Sequence, residues 1–237
     1  MTAAVASLRG FWAALRSDLM LFWVLPVPLL AAAALRLLLP LAEGWITAYF
    51  QAGAVLAPYY LISDLLVAVV APVLLAYVSV MVVLEERDDG LTRYLAVTPL
   101  GRGGYLLTRV FVPVLLGAAY TVPLLACLSL TRPAPWLILP LALSGGLSGA
   151  ISALLVPAFA GNKVEGMALV KLSTLALTGL FLPFFLDGPL QYAAAFLPSF
   201  WMARLALDGQ VFWLLPTVLT GLGWLWLLCR RFARKLI

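Results

Sequence analysis

The sequence predicts an all-α membrane protein with six transmembrane helices, and three observations carry that expectation. Of 237 residues, 65% are hydrophobic and only 11% charged, whereas a soluble domain is roughly half apolar and about a quarter charged. A soluble chain of this length has too much wet surface to hide so many apolar side chains. The apolar residues fall in stretches of the ~20 residues that cross about 30 Å of hydrocarbon. None shows the period-2 alternation of an outer-membrane barrel.

Six stretches qualify: 19–41, 59–84, 110–130, 136–160, 167–186 and 211–229. Prolines recur within them, among them Pro72, Pro123, Pro140 and Pro183. Membrane helices tolerate proline where neighbours satisfy the freed carbonyls, so kinks are expected rather than breaks. Ahead of them, residues 1–18 place Val5, Leu8, Trp12 and Leu15 on one helical face, the pattern of an amphipathic interfacial helix. The apolar 42–58 segment reads as a short interfacial or re-entrant element. Residues 187–210, too apolar for a wet loop, read as one or two short helices re-entering the outer leaflet before span six. With no linker or repeat in view, 1–237 reads as one transmembrane domain.

Orientation follows from the cations. With six spans, the side holding both termini and the 85–109 and 161–166 loops carries twelve Lys and Arg, and the other carries Arg36, Arg132 and Arg204. The positive-inside rule makes the first side cytoplasmic, in a multi-pass protein of the cell (inner) membrane. For a membrane protein this placement outweighs the net charge of +5, and nucleic acid is not an expected partner. Cys127 and Cys229 are expected at opposite ends of the bilayer, too far apart to bridge.

Several chemistries are excluded. Histidine is absent, so no His metal site, general base or proton relay is available. Gly146-Leu147-Ser148-Gly149 resembles the GxSG nucleophile motif of rhomboid proteases, but a serine nucleophile needs a base and no histidine exists to supply one. Ser144, Gly145, Ser148, Gly149 and Ser152 read better as a small-residue face that lets helices approach closely. The phosphate loop G-x-x-x-x-G-K-[ST] is missing, so no ATPase is encoded. Within the spans, Arg36 and Asp64 are costly alone, and a structural ion pair between them is expected in preference to a substrate or proton site.

The 85–109 loop is the longest polar segment. Glu85, Glu86, Asp88 and Asp89 precede Gly90, and Leu91, Tyr94 and Leu95 then follow at helical spacing. A short helix capped by Asp88 or Asp89 and ended by Thr98-Pro99 is expected. Glu85 and Glu86 are expected to pair with Arg9, Arg16 or Arg109.

The run Glu85-Glu86-Arg87-Asp88-Asp89-Gly90-Leu91-Thr92-Arg93-Tyr94-Leu95-Ala96-Val97-Thr98-Pro99-Leu100 resembles the acidic-Gly-Thr…Leu…Thr-Pro segment of ABC-2 type permeases, the membrane subunits of type V ATP-binding-cassette systems. Asn162-Lys163-Val164-Glu165-Gly166 resembles that family's second cytoplasmic loop, and Leu197-Pro198 a less specific outer motif. Asp88-Asp89 departs from the family pattern, which often has a basic residue or Glu there.

The resemblance implies a coupling helix that docks on separate nucleotide-binding ATPase subunits. Its contact residues would be Glu85, Glu86, Arg87, Asp88, Asp89, Gly90, Thr92, Arg93, Leu95, Thr98 and Pro99, joined by Asn162, Lys163 and Glu165. The permease would hold no cofactor, ATP and Mg being bound by the partner. It would work with a second permease copy or a related permease, in lipid, moving an amphipathic drug-like compound, lipid or peptide outward. Spans two and five would line the path, drawing on Leu75 and Ser79 and on Thr174, Thr178, Phe181 and Phe185, which share one helical face. Ordinary hydroxyl back-bonding competes with that role for the threonines. An ion-coupled secondary transporter is the alternative function, and Asp64 is its one candidate carboxylate.

Overall fold

A computed structural model describes residues 23–24, 26–51, 53–90, 104–105 and 107–235, and the described residues contain helices and no strand. The interfacial helix expected at 1–18 lies outside them. Five helical runs among the described residues are long and apolar enough to span a membrane: Val27–Phe50, Ala57–Asp88, Leu107–Leu128, Pro135–Phe159 and Val211–Phe232. The chain is an all-α, multi-pass membrane protein.

Helix α1 (Val27–Phe50) is peripheral, burying only Pro28 and Ala32 among its residues. It runs further than the hydropathy suggested, to Phe50, and so absorbs most of the segment expected to be separate at 42–58. The chain then returns, and the Glu43 carboxylate accepts the Val55 and Leu56 N–H groups (2.8 and 2.6 Å). These donors lie just ahead of the 3₁₀ turn Ala57–Tyr59 that opens α2 (Tyr60–Asp88). Such donors have no partner within a helix and need one.

Helix α2 forms the centre, packed against α3 (Val112–Leu128) and α4 (Pro135–Phe159). Its tight neighbours are glycines. A Cβ on Gly145 would clash with the Ala68 carbonyl oxygen, one on Gly149 would lie 2.8 Å from the Pro72 oxygen, and one on Gly117 would clash with the Pro72 Cα. The small-residue face of α4 thus seats the proline of α2, and Ser148 back-bonds to the Ser144 carbonyl at 3.1 Å. Apolar clusters lie on either side of this waist. One gathers Leu84, Tyr105, Val110, Leu154, Leu228 and Phe232; the other gathers Leu65, Val69, Leu125, Leu141, Leu180 and Met202.

The fifth apolar stretch is not one α-helix. It comprises α5 (Lys163–Ser173), a 3₁₀ segment Thr174–Leu180, and the single turn α6 (Leu182–Phe185). Seven residues of 3₁₀ is long for that geometry. Two contacts hold it: Ser199 donates to the Ala176 carbonyl at 2.7 Å, and Gly179 lies so close to Ser199 and Phe200 that a Cβ would clash. Those partners belong to α7 (Pro198–Asp208), which follows a 3₁₀ segment Gly188–Ala194; the 187–210 region is therefore two short helical pieces. Helix α8 (Leu214–Lys235) closes the bundle against α4 and α7.

The expected Arg36–Asp64 ion pair does not form. Arg36 Nη1 donates to the Cys127 and Ser129 carbonyls (2.7 and 3.0 Å), at the end of α3. Asp64 accepts the Leu130 and Thr131 N–H groups (2.7 and 2.8 Å) and the Thr131 hydroxyl. Free carbonyls at a helix C-terminus attract a cation, and a carboxylate is well held by backbone N–H groups. Both charges are bound, but by the segment between them. Cys127 and Cys229 are both free thiols.

Candidate functional site

The described charged residues of the expected ATPase contact converge at one end of the bundle. Helix α2 extends through the acidic run to Asp88, so Glu85, Glu86 and Asp88 occupy its last turn, and the short helix expected after Gly90 lies outside the described residues. Gly90, at φ +73°, stops it in the left-handed conformation that glycine adopts without cost. Acidic side chains at a helix C-terminus oppose its dipole, and cations from other elements offset this.

Arg109 is central among them. It lies in a π-helical turn, Leu107–Phe111, leading into α3, and its guanidinium forks onto Glu86, Nη2 to Oε1 at 2.5 Å and Nε to Oε2 at 3.2 Å. The side chains are 6% and 13% exposed, a nearly buried pair. The Tyr105 phenol donates to the same Glu86 oxygen at 3.0 Å. Burial first, and then the Glu86 charge, push that phenol's pKa far above its ordinary value, so it stays a donor. Of the partners expected for Glu85 and Glu86, Arg109 is taken by Glu86; Arg9 and Arg16 lie outside the described residues. Tyr105 was not singled out in the sequence, although it stands four residues before Arg109 on the same helical face.

The second loop is fastened to the same end. Arg87 donates to the Ala160 carbonyl at 3.0 Å, the Asp88 carboxylate accepts the Lys163 N–H at 3.0 Å, and Lys163 Nζ lies 3.5 Å from Glu85. Asn162 caps α5, its side-chain oxygen accepting the Glu165 N–H at 2.9 Å, while Glu165 reaches back to the Gly161 N–H at 2.6 Å. This is the reciprocal logic of a capping box, displaced by one residue on the return bond. Gly166 meets Leu84 so closely that a Cβ would overlap its side chain. Residues 85–90 and 160–166 are therefore fastened together, with Glu85, Asp88, Asp89 and Glu165 facing outward. Thr92, Arg93, Leu95, Thr98 and Pro99 lie outside the described residues.

The expected pathway residues are more scattered. Thr174 and Thr178 donate to the Lys171 and Leu175 carbonyls (2.6 and 2.7 Å), the back-bonding that competed with a pathway role. Phe181 packs beside Leu180, and Phe185 stacks on Tyr59 at 5.5 Å. Leu75 is half-buried; Ser79 is buried, and its hydroxyl has no partner among the described residues. A cavity of about 330 Å³ takes in Thr178 with Ser148, Ser152, Ser199 and Trp224, but not Leu75 or Ser79. Nearer the middle of the bundle α2 meets the fifth stretch through Tyr77, whose hydroxyl lies 2.8 Å from that of Ser173, at the junction of α5 and its 3₁₀ continuation.

Comparison with known proteins completes the picture. No solved structure matches the chain. Two curated proteins, the fluoroquinolones export permease protein MT2760 of Mycobacterium tuberculosis strain CDC 1551 / Oshkosh and its counterpart Rv2686c of strain H37Rv, are each 27% identical over 226 residues. The match covers 92% of this chain and 89% of each relative. The family model described as fluoroquinolones export permease protein Rv2686c-like matches residues 12–232. A multi-pass bundle matched over 92% of its length by export permeases is a transport subunit, and the chain belongs to the Rv2686c-like family of export permeases.

Proposed function

We propose that this permease is the transmembrane subunit of an ATP-driven exporter of the ABC-2 type, powered by separate nucleotide-binding subunits that dock at the Glu86 end. The observation that carries this reading is the fastening of two inter-span segments into one unit by Glu86–Arg109, Arg87–Ala160 and Asp88–Lys163. ATP-driven closure can bias a membrane domain only through contacts that differ between its states. A load applied at Asp89 or Glu165 reaches α2 and α5 together, and these lead into the two spans that would line the path. The charge count makes this end cytoplasmic, with both termini inside. A second copy, or a related permease, would complete the pathway across the bilayer.

The relatives' names supply the cargo class: a fluoroquinolone, or another planar amphipathic drug. Asp64 supports this reading over ion coupling, because three donors already hold its carboxylate. The test is uptake of a fluorescent fluoroquinolone into inside-out vesicles containing the permease and its ATPase. Uptake should require ATP and survive a protonophore; uptake abolished by the protonophore and indifferent to ATP would refute it.

A further inference from the structure

At the opposite end from Glu86, two guanidiniums share a recess that transport by the proposed route does not use. A cavity of about 530 Å³ is lined by Arg36, Arg132, Ser129 and Cys127, with Leu125 and Ile138 among its apolar walls. Arg36 spends Nη1 on the Cys127 and Ser129 carbonyls, and no carboxylate pairs with it among the described residues. Arg132 has no hydrogen bond or ion pair among the described residues, and it is held at φ +50°, a conformation that costs a non-glycine residue about 1 kcal/mol. Asp64 of α2, which is bonded to this turn, has its oxygens occupied by Leu130 and Thr131. Two cations therefore face one recess with a single, already engaged carboxylate near them.

The depth of the recess narrows the ligand. Helix α1 continues fourteen residues past Arg36 to Phe50, about 20 Å of helix, whereas α3 stops at Leu128 beside Arg36. The 129–134 turn, which joins two spanning helices, therefore lies at the bilayer surface while α1 reaches beyond it, and Leu29 and Leu30 stand exposed on α1 on the bilayer side of Arg36. An anion with an apolar tail satisfies both features; a free ion satisfies only the first. Guanidinium groups recognise phosphate oxygens by paired hydrogen bonds.

We propose that the Arg36–Arg132 recess binds the phosphate headgroup of an anionic membrane lipid, with its chains lying along the exposed leucines of α1. The inference stands apart from the ATP-driven reading, since it concerns binding at the other end of the bundle. It is tested by native mass spectrometry of the detergent-purified permease with phosphatidylglycerol and with phosphatidylcholine of the same chain length. Wild type should retain phosphatidylglycerol preferentially, and R132Q should weaken that retention about tenfold, the loss of one charge-assisted hydrogen bond, with phosphatidylcholine unaffected. Arg132 makes no structural bond, so R132Q should keep the wild-type thermal midpoint; R36Q removes helix-end contacts and serves only as a second arm. Excess inorganic phosphate should leave the lipid bound. Equal phosphatidylglycerol retention by R132Q and wild type, no preference over phosphatidylcholine, or displacement by inorganic phosphate would each overturn the proposal.

Discussion

Glu86→Gln is the substitution whose cost follows most directly from the structure. Glu86 accepts from Arg109 through both oxygens and from Tyr105 through one, and the Arg109 side chain is 6% exposed. The amide keeps the shape but removes the charge, leaving a guanidinium desolvated without its anion. Breaking a buried pair on one side costs roughly 3–5 kcal/mol. For chains of this size each kcal/mol moves the midpoint by about 2–4 °C, so a fall of roughly 6–20 °C is expected. The assay is thermal unfolding in detergent, followed by fluorescence-detected size exclusion. The variant E86L/R109M/Y105F removes all three of these polar groups together and should unfold closer to wild type, because the Arg109 charge goes with its Glu86 partner. A midpoint unchanged in E86Q, or a triple variant worse than E86Q, would refute the argument.

Asp88 and Asp89 should separate in their effects. D88K removes the acceptor of the Lys163 N–H and sets a cation at a helix N-terminus, costing about 1–2 kcal/mol. Asp89 makes no side-chain bond among the described residues, so D89K should keep the wild-type midpoint and lose only drug uptake. At the α2–α4 waist, G145A forces a Cβ onto the Ala68 oxygen and should cost about 1–3 kcal/mol by overpacking. G44A, in open space on α1, should stabilise by up to about 1 kcal/mol through helix propensity; both are read by the same thermal assay. Because the Tyr105 phenol titrates higher folded than unfolded, its stabilisation is intact below its ordinary pKa of about 10 and is lost as pH rises beyond. The difference in midpoint between wild type and Y105F should thus be flat from pH 6 to 9, an order-of-magnitude window set by that pKa, and shrink above it.

What the sequence could reveal differs between the two ends. The spans were legible because hydropathy is a property of each segment alone, and so was the packing face at Ser144–Ser152, whose small residues needed no known partner. Arg36 and Asp64 were rightly read as needing partners, yet apart from the Thr131 hydroxyl the partners were backbone groups of 127–131, which carry no signature in side-chain identity. The fifth stretch has the composition of a helix. What holds its centre in 3₁₀ form is tertiary, the Ser199 hydroxyl on Ala176 and the closeness of Gly179 to α7. At the Glu86 end helix α2 continues through the acidic run until Gly90, an extension that the charged composition of the run did not announce, and the helix expected beyond it lies outside the described residues. Tyr105 and Tyr77 escaped notice because a tyrosine among apolar residues shows its use only when the opposing hydroxyl or carboxylate is in place.

The central claim, that the Glu86 end is where a separate ATPase docks, is tested most directly by site-specific photo-crosslinking in the assembled transporter. A benzophenone side chain is placed at Asp89 or Glu165, both exposed on the fastened unit, or at Trp45, exposed near the far tip of α1. The account predicts crosslinks to the nucleotide-binding subunit from positions 89 and 165, altered in yield by ATP, and none from position 45. An intact complex that crosslinks from neither 89 nor 165 would contradict it.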